Sequence, residues 1–600
     1  MFQSKKKPSH LLLSGSVISQ PVAEKNSLSV IVSVYKKKVL LYILLLTVLA
    51  LPVVILLFRP AEHVYFRYPL NISPELAASF GEVRDNHFHM GLDLRTKGRE
   101  NFPVYAIADG FISRVQISEN GFGKAVYVTH PNGTTSVYAH LRRFNDELEV
   151  FVHKQQYAQE KWEQDIRFKA GDFPINKGSL IALSGNTGTS EGPHLHIEIH
   201  NTKTNNSINP QIAGFSIRDN IAPVINSIYW YNKSNSIYQS NGNKLLLIKT
   251  SSIDQPLEIA APRIVLGIEA TDKNALTRFQ LGIYKASLYM DDMLMHRFTM
   301  DELSEADTRY VNACIDYKEY NRSGKTIQLL TSLPGNHNTM FSRSSADGVL
   351  DIHDGRVHHV AIVIADAAGN TTTEDFYIRY TGAQSYINNY PAGTLFIIPG
   401  KDTTLRYGQS VVHFDKTTFF DIAPLLLKEE QLQGKDAISV RLHLFPETIP
   451  IYDSIQVSLA TTLQQLDSLR KHTVIQFKNR SGRYIVKGIW HKNSMTGYLP
   501  QMGAVQLIVD TTAPVIKVEN PSVVRFSPED SYIRIVCKDN LGFIADFRGT
   551  IDGHWVAFEK KGNVFTYQPD SYCKTGPHTV SITVADIAGN TATKSFTIIR

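Results

Sequence analysis

Three cysteines in 600 residues cannot build a disulfide framework, so the fold must rest on buried apolar surface. A surplus of one charge sign is also nearly missing. Lys and Arg number 62 against 56 Asp and Glu, a net +6, and part of it is two lysine triplets, Lys5 to Lys7 and Lys36 to Lys38. Without a basic field, nothing points to a nucleic-acid partner. Low complexity is excluded as well, because 43% hydrophobic and 20% charged residues are ordinary globular composition. What the chain has is length, and at about 150 residues per domain it predicts roughly four domains.

Residues 39–58, VLLYILLLTVLALPVVILLF, carry no charge. At about 1.5 Å per residue such a helix spans a hydrocarbon core of roughly 30 Å. Lys36, Lys37 and Lys38 precede it and only Arg59 follows directly. The positive-inside rule then keeps the N-terminus in the cytoplasm and sends residues 60–600 across. A cleaved signal peptide is the alternative, but the apolar region is long and RPAEHVYF offers no small-x-small cleavage site. The expectation is a disordered cytoplasmic tail over 1–35 and a single-pass signal-anchor helix over 36–59. The remainder would lie on the periplasmic side of the inner membrane.

Beyond the anchor the pattern is mainly β. Within 60–214, PVYAIADG, FISRVQIS and KAVYVTHPNGTTSVYAHL alternate apolar runs with turns, and Asn132-Gly133 is a hairpin signal. Over about 146–166, Glu, Gln, Lys and Ala take over, with Leu148, Phe151, Val152 and Trp162 interspersed, which predicts an inserted amphipathic helix. Residues 215–600 contain an echo. Ala222-Pro223-Val224-Ile225 returns as Ala513-Pro514-Val515-Ile516, and Asp366-x-x-Gly369-Asn370-Thr371 returns as Asp586-x-x-Gly589-Asn590-Thr591. The Asp-x-x-Gly-Asn pattern suits a tight hairpin. The reading is β-sandwich modules over 215–380 and 512–600, with a third β module over 381–511. The repeat resembles the immunoglobulin-like modules that decorate bacterial surface proteins, which space, dock or bind. Cys537 and Cys573 fall in the last module, where they either pair or never meet, and Cys314 is left over.

The chemistry lies between 81 and 200. In an extended strand His89, Gly91 and Asp93 share a face, and the missing side chain of Gly91 leaves room for an ion between the other two. In His194-Leu195-His196-Ile197-Glu198-Ile199 the two histidines face one way and the aliphatic residues pack the other. Tyr138 and His140 would share a side of a third strand. Two imidazoles and a carboxylate form a three-ligand zinc set with an open fourth position. Such an ion lowers the pKa of water towards about 7 and polarises a carbonyl. Extra histidines beside it supply a base and an oxyanion donor near neutral pH.

His89-x-x-x-Asp93, Tyr138-Ala139-His140-Leu141 and His194-x-His196 together resemble the motifs of the LytM/lysostaphin-type zinc metalloendopeptidases. FGEVRDNHFHMGLD, PVYAIADGFIS, GFGKAVYVTH and SGNTGTSEGPHLHIEI extend the likeness over about 77–200. The resemblance implies an antiparallel β peptidase domain over 60–214 and one zinc ion per chain, held by His89, Asp93 and His196. His194 and His140 would be the non-ligand catalytic histidines, and Tyr138 a substrate contact or a packed strand tyrosine. It further implies hydrolysis of peptide cross-links in peptidoglycan, with direct D,D cross-links favoured, zinc-bound water attacking the scissile amide. The helix inserted after Leu141 departs from the family pattern; it lines the groove, docks a partner or is a solvated insertion. Glu198, on the face of His196, either orients a ligand or is a solvated strand carboxylate, the reading favoured; His87 is an alternative ligand or, the reading favoured, an exposed or ligand-supporting histidine; and His153, His200, His337, His353, His358 and His359 read as surface or turn residues.

Two other classes stay open. One is a non-catalytic LytM-like scaffold that activates a cell-wall amidase, against which all five filled positions argue. The other is an envelope adhesion or structural protein that works through its β modules and an envelope partner.

Overall fold

The computed structural model describes residues 65–600, apart from 240, 246–250, 343–345, 383–389, 435–436, 462–466 and 520–531. The segment 36–59 read as a membrane anchor lies outside the described residues, as does the tail before it. Among the described residues no helix is long and apolar enough to cross a membrane.

The N-terminal part is built from fourteen short strands and one helix. In chain order these are β1 (Leu76–Ala78), β2 (Val83–Arg84), β3 (His87–Phe88), β4 (Leu92–Arg95), β5 (Pro103–Tyr105), β6 (Gly110–Ile117), β7 (Lys124–Thr129), β8 (Thr134–Ala139), β9 (Leu141–Phe144), α1 (Asp146–Gln159), β10 (Gln164–Arg167), β11 (Pro174–Ile175), β12 (Leu180–Ser184), β13 (His194–Asn201) and β14 (Ser207–Ile208). The main sheet runs β1-β4-β13-β8-β7-β6-β10, all antiparallel. A three-stranded sheet, β5-β12-β9, shares its core. The β7–β8 hairpin turns at His130–Gly133, with Gly133 at φ +82°, the left-handed region a turn glycine takes without strain.

Period-two alternation explains β13. Leu195, Ile197 and Ile199 are fully buried against that core, which leaves His194, His196, Glu198 and His200 for the opposite face. β13 lies between β4 and β8, so His196 sits directly across from Asp93 on one side and Ala139 on the other.

Residues 224–380 share the core of the N-terminal part, whereas 395–509 and 515–599 each build a core of their own. One hydrophobic cluster includes Leu94 and Ile197 together with Leu266 and Ile362. The main sheet also continues through β14 into Glu302–Leu303. Residues 224–380 form a five-stranded and a six-stranded sheet, and residues 395–509 another six- and five-stranded pair. Residues 515–599 form two four-stranded sheets. The first pair carries an excursion absent from the sequence reading, with helices Glu305–Thr308 and Tyr317–Ser323 around a 3-10 turn at Arg309–Ala313. The three cysteines are buried and free.

Successive parts touch. Asp421 accepts from Ile237 N at 2.9 Å, and Arg309 Nε donates to Tyr452 O at 2.9 Å. His472 Nδ1 lies 3.1 Å from Ala588 O, and Arg483 donates to Asn540 O at 3.0 Å. The last part returns to the first through α1. This helix starts at Asn145, whose side chain accepts from Leu148 N at 3.0 Å, an ordinary N-cap. It buries Leu148, Val152 and Gln156. Its far end meets residues 515–599: Tyr157 stacks on Tyr572 with centroids 3.6 Å apart, and His153 lies 3.0 Å from Asp570. So α1 is not a solvated insertion, and His153 is not an unengaged surface histidine; the partner it docks is this chain's own C-terminal part.

Asp570 also accepts from the hydroxyls of Tyr157 and Tyr567. Burial alone would raise this carboxyl, but the bonds from His153 and Tyr157 outweigh it and hold it below its usual value. Bonds to a charged group contribute about 1.5–3 kcal/mol each. Asp570→Ala is therefore expected to speed amide exchange across 153–159 by on the order of tenfold or more. Unchanged protection there would show that the stacked rings suffice.

Candidate metal centre

His89, Asp93 and His196 each turn one ligand atom towards the others. His89 Nε2 lies 3.1 Å from Asp93 Oδ1 and 3.0 Å from His196 Nδ1, and His196 Nδ1 lies 2.8 Å from the same carboxylate oxygen. Ligand atoms on a tetrahedral ion with bonds of about 2.0–2.1 Å sit about 3.3 Å apart, so the three distances suit a shared cation.

The other ring nitrogens fix the tautomers. His89 Nδ1 lies 2.8 Å from Ser79 O, and a carbonyl only accepts, so Nδ1 carries the proton. His196 Nε2 lies 2.9 Å from Glu198 Oε1. Glu198 is buried, yet the hydrogen bonds from His196 and His200 outweigh that burial and push its carboxyl down to about 2. An ionised carboxylate also only accepts, so His196 Nε2 donates. Two imidazole nitrogens and a carboxylate oxygen therefore converge at hydrogen-bond distance, where a metal would take both lone pairs and a metal-free site holds a proton instead. Electrostatics agree: burial opposes charge on His196, but Asp93 and Glu198 outweigh it and push the ring up to about 10. A site that draws a proton so strongly is one in which a dication can replace it.

Of the two readings of Glu198, the favoured solvated one is corrected and the ligand-orienting one fits the structure. Glu198 is 3% exposed and His200 is 7% exposed. The Gly91 segment packs over Glu198. A Cβ at Gly91 would lie 2.5 Å from Ile197 O, 2.8 Å from His196 Nε2 and 2.9 Å from Glu198 Cγ. Gly91 thus serves the close approach of backbone to β13, not a gap for the ion. Nor does one strand carry His89 and Asp93: β3 ends at Phe88, the chain bends at Gly91 and β4 begins at Leu92. The β2–β3 hairpin before His89 is gripped by the helical excursion. Thr308 Oγ1 accepts from Phe88 N at 2.7 Å and donates to Phe88 O at 3.1 Å, and Asn312 donates to Asn86 at 3.0 Å. His87 is exposed and lies 2.9 Å from Asp85 O, outside the ligand group.

Glu198→Gln keeps the shape but removes the charge that orients His196. Metal affinity should fall about 10–100-fold, read by competition with a chromogenic chelator. Unchanged affinity would mean the contact only fills space.

His140 and His194 stand beside the group, their ring centroids 4.8 Å apart. His194 Nδ1 lies 2.8 Å from Gly192 O, which leaves Nε2 3.3 Å from Asp93 Oδ1. His140 follows the last residue of β8 at φ +58°, a left-handed conformation uncommon outside glycine and asparagine. The conformation comes with two anchors: His140 N donates to Phe122 O at 2.9 Å, and Nδ1 lies 2.8 Å from Thr187 O. The loops bearing those carbonyls interlock. Thr187 Oγ1 accepts from Lys124 N at 3.0 Å, and Thr189 N donates to Gly121 O at 2.9 Å. A Cβ at Gly123 would meet Gly188 N at 2.4 Å. Burial first, then the positive charges of His196 and His194, push His140 down to about 3, so the ring is neutral at pH 7.

Tyr138 and His140 therefore do not share a face. Tyr138 is fully buried opposite Ile197 and its hydroxyl accepts from Ile107 N at 2.9 Å and from Ser136 at 3.0 Å. It supports the core and does not touch substrate. His358, also read as a surface residue, is 4% exposed between Asp291 and Asp354. Arg84 escapes the sequence reading altogether. Its guanidinium lies 3.3 Å from Glu82 and 3.6 Å from Asp93. Only the hairpin fold brings it there.

The sheet and donor set are those of a β metallopeptidase centre. Residues 87–161 match Peptidase family M23, so the chain carries an M23 peptidase domain. The match ends before β13, and the pairing of β13 with β4 is what adds His196 to it. A Haemophilus influenzae protein described as an uncharacterized metalloprotease is 31% identical over 159 residues, which are 25% of this chain and 28% of that protein. A Neisseria meningitidis serogroup B protein described as DD-carboxypeptidase/endopeptidase Mpg is 33% identical over 110 residues, 18% of this chain and 19% of that one. The chain thus spans less than a third of the length of the curated relatives it matches. Among solved structures, the catalytic domain of lysostaphin from Staphylococcus simulans aligns with 24% of this chain and 93% of its own, at 24% identity and a TM-score of 0.19.

Proposed function

We propose that the chain is a zinc endopeptidase that hydrolyses peptide cross-links of bacterial peptidoglycan, D,D cross-links foremost. It would work from the periplasmic side of the cytoplasmic membrane, held there by the helix expected over 36–59. The carrying observation is the convergence of His89 Nε2, His196 Nδ1 and Asp93 Oδ1, with the far nitrogen of each imidazole already committed as a donor. Two imidazoles and one carboxylate are the donor set of catalytic zinc. When bound, zinc polarises the scissile carbonyl and makes water a nucleophile near neutral pH.

The chain's own groups handle the protons. His140 is neutral, and its Nδ1–H is held by Thr187 O. Its Nε2 accepts a proton from the attacking water, and a ring pushed down to about 3 holds that proton only in passing. The new C–O bond forms, the amide C–N bond breaks, and the same proton goes to the departing amine. His194, tethered at Gly192 O, orients the water and, when protonated, holds the oxyanion. The description of the meningococcal relative as a DD-carboxypeptidase/endopeptidase supports the choice of bond.

The test is incubation of the full chain with purified sacculi, followed by separation of the muropeptides. Cross-linked dimers should become monomers, and the fragment masses should place the cut at the D,D bond. A chain that binds zinc and leaves cross-links intact would overturn the proposal in favour of a scaffold that activates an amidase.

A further inference from the structure

The echo in the β modules has a second use. Each copy brings three aspartates together. Asp219, Asp272 and Asp366 have carboxylate oxygens within 4.8 Å of one another, and so have Asp510, Asp539 and Asp586. The positions correspond. Asp219 and Asp510 each stand three residues before an Ala-Pro pair. Asp272 and Asp539 each follow the strand that pairs with the next segment, Val224 opposite Thr271 in one copy and Val515 opposite Lys538 in the other. Asp366 and Asp586 open the two Asp-x-x-Gly-Asn turns. There Asn370 and Asn590 donate to both oxygens of their aspartate, by N–H at 2.9 Å in each copy and by Nδ2 at 2.7 and 2.8 Å.

Hairpin formation explains those asparagines. It does not explain the other carboxylates. Asp272 is 6% exposed and its Oδ1 has no hydrogen-bond partner; Asp510 is 3% exposed and its Oδ2 has none; Asp539 Oδ1 is likewise buried and unpartnered. An ionised oxygen buried without a donor costs several kcal/mol, and native folds rarely keep one. Burial and then the like charges of Asp366 and Asp219 push Asp272 up to about 7, and burial and then the charges of Asp510 and Asp586 raise Asp539. The misfit at Asp272 recurs at the matching Asp539, which makes it a feature of the repeat and not an accident of one loop.

We propose that each triad binds one hard divalent cation of the calcium class, so that the chain carries two such ions in addition to its peptidase metal. Calcium takes oxygen ligands at about 2.3–2.6 Å, so oxygens on one ion lie up to about 5 Å apart, the spread seen in both triads. Three carboxylates and no nitrogen or sulfur donor select calcium over zinc. In the first copy a cavity of about 20 Å³, room for one water-sized body, is lined by Asp219, Asp272 and Asp366 and also by Ser79 and Asn209 of the peptidase part. Asp510 follows the strand Ala504–Val509 and precedes Val515–Val518. Both ions therefore sit where one part of the chain hands over to the next, and each would fix that joint.

The test uses the full chain with His89→Ala, so that the peptidase site takes no part, and calcium itself as the probe. Equilibrium dialysis should find two ions per chain, with dissociation constants at or below about 1 mM. Asp272→Asn and Asp539→Asn should each remove one, and together both. Thermal unfolding separates a ligand role from a structural one. In chelator each Asn variant should unfold at a higher temperature than its parent, because a repelling charge is gone. Added calcium should raise the parent by a few degrees and each single variant by less. No binding up to about 10 mM, or two ions still bound in both variants, would overturn the proposal; so would an unfolding temperature that calcium does not move, which would mean that a shared proton serves instead. Loss of one ion in only one variant upholds that joint and overturns the other.

Discussion

Replacing His89 by alanine is expected to strip the chain of tightly held zinc and to abolish cross-link cleavage. Zinc contributes several kcal/mol to stabilising the transition state, on the order of 10³-fold or more in rate. The loss should come without unfolding. His89 lies before β4, outside the strand that fills the core, and its removal takes a partner only from Ser79 O and from the other two members of the ligand group. Metal analysis, circular dichroism and muropeptide separation on one preparation check all three statements. Cleavage by a zinc-free His89→Ala chain would sink the metal assignment. Zinc retained at full occupancy would move the site elsewhere.

His140→Ala is the second large effect, and it should differ in kind. The ring is not in the ligand group, and its anchors are Phe122 O and Thr187 O. Zinc content should therefore stay at about one per chain, while kcat falls by about 10²–10⁴-fold, the range for a lost proton-transfer group. Loss of metal together with rate would make His140 a support for the ligands and leave the base unidentified. An equal fall in kcat with KM unchanged fits a group that acts only on the reacting atoms.

How much of this was legible beforehand follows from what a period can encode. The alternation in β13 is a local property, so the split between His194, His196 and Leu195, Ile197 reads directly from the sequence. Whether the polar face is then covered is not local. Glu198 is buried because the Gly91 bend packs over it, and nothing in β13 announces that. Extending the strand through His140 puts that residue on the face of Tyr138, one residue too far. A left-handed residue at 140 resets the face, and the cause lies in loops about 20 and 47 residues away. Arg84 and Thr308 reach the site through tertiary contacts alone. The repeated Asp-x-x-Gly-Asn was legible as a turn, but the aspartates that join it come from two other segments.

The chain is a circuit. Its last part lies against α1 of its first, through Tyr157 and Tyr572, His153 and Asp570, and a further bond from Lys561 to Asn186 O beside the Thr187 loop. The contacts at Asp421, Tyr452 and Ala588 complete the path between them. A string of modules bends at any joint on its own, but a closed loop cannot open one contact without loading the others. The final contact is also made at the effective concentration of a tethered partner, in the millimolar range for a short flexible tether, so a patch too small to hold two separate proteins can hold here. One proteolytic nick in a linker should then leave the two pieces travelling together, held by the remaining contacts of the loop.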